Sequence, residues 1–286
     1  MAAVLFALLA AIAYGTGDFA AGFASRQLSA GPVTVFTQTI GLVGAGIAVV
    51  FVPGVGPSVP ALWWGAASGM GAALGVLTLY RGLSVASMSV VAPVCAVLTA
   101  VLPVAAGLAG GEHLSVLAVA AIGVAVVAIA LVSRGEAQPL QGAAASSGAA
   151  RDGLLWGSLS GVGFAVLFIA LDQAGTANGA WPLLPSGAVS LLLVLPFGWV
   201  GRPRHLGQIR SCAVPLLVAG IVGGGANLLF LTATGYGQLS LVAVITSLYP
   251  AVTVVLARTV LGERWTRLQT TGLIAASLAI VATTLT

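Results

Sequence analysis

The sequence predicts an all-α membrane protein: ten transmembrane helices arranged as two inverted five-helix repeats. Three observations carry that expectation. First, 59% of the 286 residues are hydrophobic and only 6% are charged, whereas about a quarter of the residues in a soluble protein carry charge. A soluble core cannot sequester so much apolar surface, but lipid solvates helices that are apolar on every side. Second, the chain repeats itself. A shift of 151 residues lays Ser89, Val91, Ala92, Ala100, Val101, Val104, Ala106, Gly111 and Glu112 on Ser240, Val242, Ala243, Ala251, Val252, Val255, Ala257, Gly262 and Glu263 without a gap. Third, five apolar spans lie on each side of a single polar linker. An odd number makes the second copy enter the membrane from the opposite side.

The first span, Ala2–Ala24, lacks the basic leader of a secretory signal and runs past signal length, so it is expected to stay as a helix. Pro32–Val52 follows the breaker Gly31-Pro32 and stops at Pro53-Gly54-Val55-Gly56-Pro57. Ala61–Leu79 comes next. Ala86–Gly107 contains Pro93 and Pro103 and closes on Gly110-Gly111-Glu112, and Leu114–Val132 completes the half. The Arg, Gln, Ser and Gly of residues 135–152 then form a linker between units 1–134 and 153–286. The second half holds Gly153–Ala174, Ala180–Val200, Ala213–Thr234, Leu239–Val260 and Leu268–Leu285. Each span is roughly 20 residues, enough to cross the hydrocarbon core at about 1.5 Å per residue.

All ten basic residues are arginines, scattered rather than clustered, so the net charge of +4 is no nucleic-acid signal. They follow the odd-numbered spans or flank the linker: Arg26, Arg81, Arg134, Arg151, Arg202, Arg204, Arg210, Arg258, Arg264 and Arg267. The positive-inside rule then puts the linker in the cytoplasm and both termini outside a plasma (inner) membrane. Cys95 and Cys212 offer neither a disulfide framework nor a metal spacing and read as small buried hydrophobes. No metal or other cofactor is expected. The histidines His113 and His205 lie far apart in loops, which argues against a membrane-embedded enzyme.

Two halves, each with a small-residue-rich third span and a fourth span closing on a Gly-Glu turn (Gly111-Glu112-His113 and Gly262-Glu263-Arg264), resemble the EamA family of the drug/metabolite transporter superfamily. The likeness covers nearly the whole chain. It implies a ten-helix carrier that moves a small metabolite, often an amino acid or a drug-like compound and often outward, by alternating access. The loop from Pro53 to Pro60 carries no basic residue, so the family's usual inward placement of the termini is not transferred. An importer of metabolites or sugars on the same fold is the nearest alternative. A membrane-embedded enzyme or a passive channel ranks below it.

Asp18 is the sharpest candidate for chemistry, because it follows Tyr14-Gly15-Thr16-Gly17 inside the first span. A carboxylate at membrane depth is costly unless it faces a cavity, finds a partner or binds a proton. It therefore reads either as a site for protons or a substrate amine, or as a helix-end group that only reaches for water. Asn227, among glycines of the eighth span, suits either interhelical hydrogen bonding or substrate contact. Tyr14, Tyr80, Phe164, Tyr236 and Tyr249, with Thr16, are the candidate cavity residues, since a polar-tipped ring in a bundle needs a partner and stacks on organic solutes. Pro93, Pro103 and Pro250 are candidate hinges. Gly65, Gly69, Gly71 and Gly75 read as close helix packing, Trp63, Trp64, Trp181, Trp199 and Trp265 as interfacial anchors. Asp172, Glu112 and Glu263 read as hydrated helix-end groups. The expected partners are the lipid bilayer, a small-molecule substrate and, as a candidate coupling ion, the proton, with the protein a monomer. The mainly Ala, Gly, Val and Leu spans, with Arg81 as the only arginine placed to reach inward, disfavour a phosphorylated solute.

Overall fold

The computed structural model describes residues 1–52, 54–86, 88–133, 147–199, 206–262 and 266–284. Among them the chain is all-helical. The helices are α1 (Ala2–Ala24), α2 (Ala30–Phe51), α3 (Val59–Val85), α4 (Met88–Ala109), α5 (Val116–Ser133) and α6 (Ser147–Ala174), then α7 (Leu183–Val194), α8 (Leu206–Ser211), α9 (Ala213–Thr234), α10 (Leu239–Thr246), α11 (Tyr249–Leu261) and α12 (Arg267–Thr284). Eight stretches are long and apolar enough to cross a membrane, with α10 and α11 together forming one of them. Two shorter apolar helices, Leu183–Gly198 and Arg267–Thr283, stand beside these. The protein is thus a multi-pass membrane protein.

Helices suit these sequences because lipid offers no partner to the backbone, so every N–H and C=O must be satisfied within the chain. Their ends are capped from local sequence. Ser115 Oγ accepts from the Ala118 N–H at 3.1 Å at the start of α5. Before α12, Thr266 and Gln269 form a reciprocal capping box: Gln269 donates its N–H to Thr266 Oγ1 at 3.2 Å, and Thr266 donates its own to Gln269 Oε1 at 3.0 Å. Gly111 and Gly262 turn the chain at φ +92° and +71°, just past α4 and α11. A side chain there would cost roughly 1 kcal/mol of backbone strain, which is why both Gly-Glu turns begin on glycine.

The structure departs from the sequence expectation in four places. The ninth span is not one helix: it breaks at Ser247-Leu248, directly before Tyr249-Pro250. Pro250 has no N–H to give and sits in the first turn of α11, where none is needed. Pro93 and Pro103, by contrast, lie inside an uninterrupted α4. The linker is shorter than expected, because α6 already begins at Ser147. Residues 134–146 lie outside the described residues, as do Glu263, Arg264 and Trp265. Finally, α8 adds a short helix before α9, and α7 tightens into a 3-10 turn over Leu195–Trp199.

Packing positions everything else. α3 lies along α6 and α7, α1 along α9, α5 along α12, and α2 between α7 and α9, while α4 touches α6 and α10. The glycines of α3 serve two neighbours. Gly65 and Gly69 meet the Pro182 and Ser186 carbonyls at α7, whereas a Cβ on Gly71 would sit 2.6 Å from the Leu167 nitrogen and 2.7 Å from the Gly163 oxygen of α6. Small residues let two backbones approach this closely, which is what holds helices together where no hydrophobic effect acts between them. Gly163→Val should therefore lower stability by about 3 kcal/mol or more. A fall in the melting temperature of the detergent-solubilised protein would show it, and an unchanged melting temperature would contradict the packing.

Candidate functional site

A cavity of about 710 Å³ enters the bundle between the two halves of the sequence. Its walls come from α1, α2, α3, α4, α6, α9 and α11. It runs from Tyr14, Phe164 and Asn227, near mid-helix, to the helix ends at Arg26, Ala30 and Leu261. The opposite end of the molecule is filled by a core that includes Ala7, Ala10, Leu171, Ala180, Phe230, Leu239 and Val242. Phe168 marks the boundary. It lines the cavity while its ring stacks on the fully buried Phe230 at 4.3 Å.

Asp18 lies in the cavity wall and is exposed to it. Among the described residues it accepts no hydrogen bond and forms no ion pair, so its charge is left to water or to a ligand. One turn earlier on the same face of α1, Tyr14 donates its hydroxyl to Asn227 Oδ1 at 2.5 Å. The Tyr14 ring tilts against Phe168 at 5.9 Å and Tyr249 at 6.3 Å. Thr253 ties α11 to α1 by donating to the Gly15 carbonyl at 3.1 Å. The cavity lining thus combines one carboxylate with the rings of Tyr14, Tyr80, Phe164, Phe168 and Tyr249, groups of the kinds that attract organic cations.

The structure brings Asp18, Tyr14, Tyr80, Phe164, Asn227 and Tyr249 together around one space. Two candidates lie elsewhere. Thr16 is half-buried and does not line the cavity. Tyr236 is 63% exposed at the filled end, stacked on Phe6 at 5.7 Å. Arg81 also faces away, with its guanidinium over Trp156 at 6.0 Å, and the arginine at the cavity mouth is Arg26. Asp172 accepts from its neighbour Gln173 at 3.2 Å at the end of α6, outside the cavity.

Glu112 is more than a hydrated turn residue. Its carboxylate accepts the Leu239 N–H at 2.5 Å and the Ser240 N–H at 3.1 Å, and also accepts the Ser240 hydroxyl. It thereby caps the buried start of α10, where unpaired N–H groups and the positive end of the helix dipole favour an anion. Gly107 makes the room, since a Cβ there would strike both the Glu112 carboxylate and the Ser240 hydroxyl.

Residues 151–285 match the model of the EamA-like transporter family. Over that stretch, a little under half of the chain, the protein is similar to the EamA-like transporter family. A solved crystal structure superposes on this chain with a TM-score of 0.73, covering 99% of this chain and 97% of the other at 17% identity, a likeness of fold alone. No curated protein sequence matches the chain.

Several cavity residues went unnoticed in the sequence: Gln38, Thr34, Thr99, Phe168 and Thr253. The signal for two of them was there. Thr34, Gln38 and Gly41 recur at helical spacing along α2, and an amide at membrane depth, like Asn227, needs a partner or a cavity. Phe168 carried no such signal, because an aromatic ring in an apolar span is ordinary filling.

Proposed function

We propose that the protein is a secondary carrier that exports a small, partly apolar amine, such as an amino acid or drug-like compound, by alternating access with proton coupling at Asp18. The observation that carries this reading is the isolated Asp18 carboxylate in the wall of a 710 Å³ cavity. That volume falls in the range of sites for small organic ligands, about 300–1,000 Å³. One group that holds either a proton or an ammonium makes the two exclusive, and exclusive binding at one site is what couples opposing fluxes.

A ten-span reading takes the apolar helices Leu183–Gly198 and Arg267–Thr283 as the seventh and tenth spans. The helix pairings support two related halves. Exchanging first-half spans for second-half ones turns the α3–α6 pair into the α1–α9 pair and the α3–α7 pair into the α2–α9 pair, and maps α5–α12 onto itself. The broken α10–α11 span is where one half has a ready place to flex. The hydroxyls of Thr246 and Ser247 at the break are buried without a partner among the described residues, each a cost of about 1–3 kcal/mol that another arrangement can relieve.

The cavity mouth shares its end of the bundle with Arg26 and Arg258, so the positive-inside rule makes this an inward-open state loading from the cytoplasm, with both termini outside. The test is flux in proteoliposomes. A labelled amine such as phenethylamine should move saturably and respond to an imposed proton gradient. Non-saturating ionic current would indicate a channel, and gradient-insensitive exchange would remove proton coupling. A reporter active only in the cytoplasm, fused after Thr286, should stay silent; strong activity would reverse the orientation.

A further inference from the structure

A second, much smaller cavity of about 40 Å³ adjoins the large one between α2, α3, α7 and α9. The two share Gln38 and Asn227 in their linings, so these amides stand at the junction. Beyond them the recess is lined by Ser186 and Ser190, one turn apart on α7 and 6% and 2% exposed. Gln38 donates its Nε2 to Ser190 Oγ at 2.5 Å, and Ser68 donates to Ser186 Oγ at 2.7 Å. No charged side chain lines it.

These bonds join α7 to α2 and α3, and a serine hydroxyl that accepts one bond still has a proton to donate to a ligand. The volume admits one water or a substituent of two or three heavy atoms, and neutral donors and acceptors suit an uncharged polar group. A carboxylate would be stripped of water there with no cation to meet it. A chain of contacts links the recess to the acid. Asn227 at the junction holds Tyr14, and Tyr14 stands one turn, about 6 Å, from Asp18 along the same face of α1.

We propose that this recess is a substrate subsite for a small, uncharged, hydrogen-bonding substituent, which narrows the amines named above: those bearing a nearby hydroxyl or primary carboxamide are preferred, and zwitterionic amino acids rank below them. The inference rests on the reading of Asp18 as the amine site. Three matched probes decide it: phenethylamine, phenylalaninamide and phenylalanine, measured by displacement of a labelled amine from the purified protein and by flux in proteoliposomes. Phenylalaninamide should bind about tenfold more tightly than phenethylamine, the worth of one well-made hydrogen bond, and phenylalanine should be the weakest. Ser190→Ala and, separately, Ser186→Ala should bring the ratio of amide to plain amine towards one. If phenethylamine binds in an Asp18-dependent manner but wild type shows no preference for the amide, or the serine variants keep it, the subsite is overturned and the amine site stands. If no probe binds, or binding ignores Asp18→Asn, both are overturned. Either serine variant removes only a hydroxyl, and a melting curve superimposable on wild type confirms that a changed ratio reports on binding.

Discussion

Asp18→Asn should lower amine affinity by more than tenfold and abolish the response of transport to a proton gradient, while leaving the fold intact. The size follows from what the carboxylate does for a bound ammonium: a charge-assisted hydrogen bond contributes about 1.5–3 kcal/mol, or roughly ten- to a hundredfold in affinity. The amide keeps the shape and one acceptor oxygen but neither charge nor a titrating proton. Stability should barely move, because Asp18 holds no other residue among those described and faces the cavity. The measurement is paired: amine binding and gradient-driven flux on one side, melting temperature on the other. Full flux that still follows the gradient would remove Asp18 from the mechanism. Equal loss of melting temperature and flux would make it structural instead.

The second large effect is expected at Glu112, at the filled end. Glu112→Ala takes away the acceptor for two backbone N–H groups and one hydroxyl at the start of α10. Leu239 and Ser240 are 3% and 0% exposed, so water cannot readily replace it. The Ser240 hydroxyl can still donate to the Val104 carbonyl, so two buried N–H groups are left unpaired at about 1–3 kcal/mol each, and a loss of about 2–6 kcal/mol in total is expected. Because the cap joins the end of α4 to α10, the loss should appear as opening of that end as well as lower stability. A cysteine at Ala7, which is 0% exposed, would report it in a background where Cys95 and Cys212 are replaced. Its labelling by a membrane-impermeant thiol reagent should rise with Glu112→Ala and much less with Glu112→Gln, which retains one acceptor. Equal labelling in both variants and wild type would show that the carboxylate does not hold this end closed.

Both effects concern acids that the sequence presented in similar terms, as rare charges in apolar surroundings, and the structure gave them opposite work. Among the described residues Asp18 has no partner, and it lines an open space. Glu112 is spent on a helix start 127 residues further along the chain. The sequence separates them by position, Asp18 inside its span and Glu112 past the end of one, but position does not reveal that a distant helix start claims Glu112.

What the sequence determined by itself was the class of protein, the extent of most helices, the tight glycine packing of α3 and the Gly-Glu turns. These are properties of composition, run length and local backbone geometry, and a chain in lipid has few other ways to satisfy its backbone. Tertiary structure alone decided which polar residues meet. A helix that is apolar all round carries no stripe to say which face turns inward, so its rotation is set by neighbours that pack against it through glycine contacts. That rotation placed Tyr14, Asp18, Asn227 and Gln38 on one cavity and left Tyr236 and Arg81 outside it. The break between α10 and α11 was likewise beyond the hydropathy, because Thr246 to Pro250 interrupts the hydrogen bonding of the helix without interrupting its apolar run.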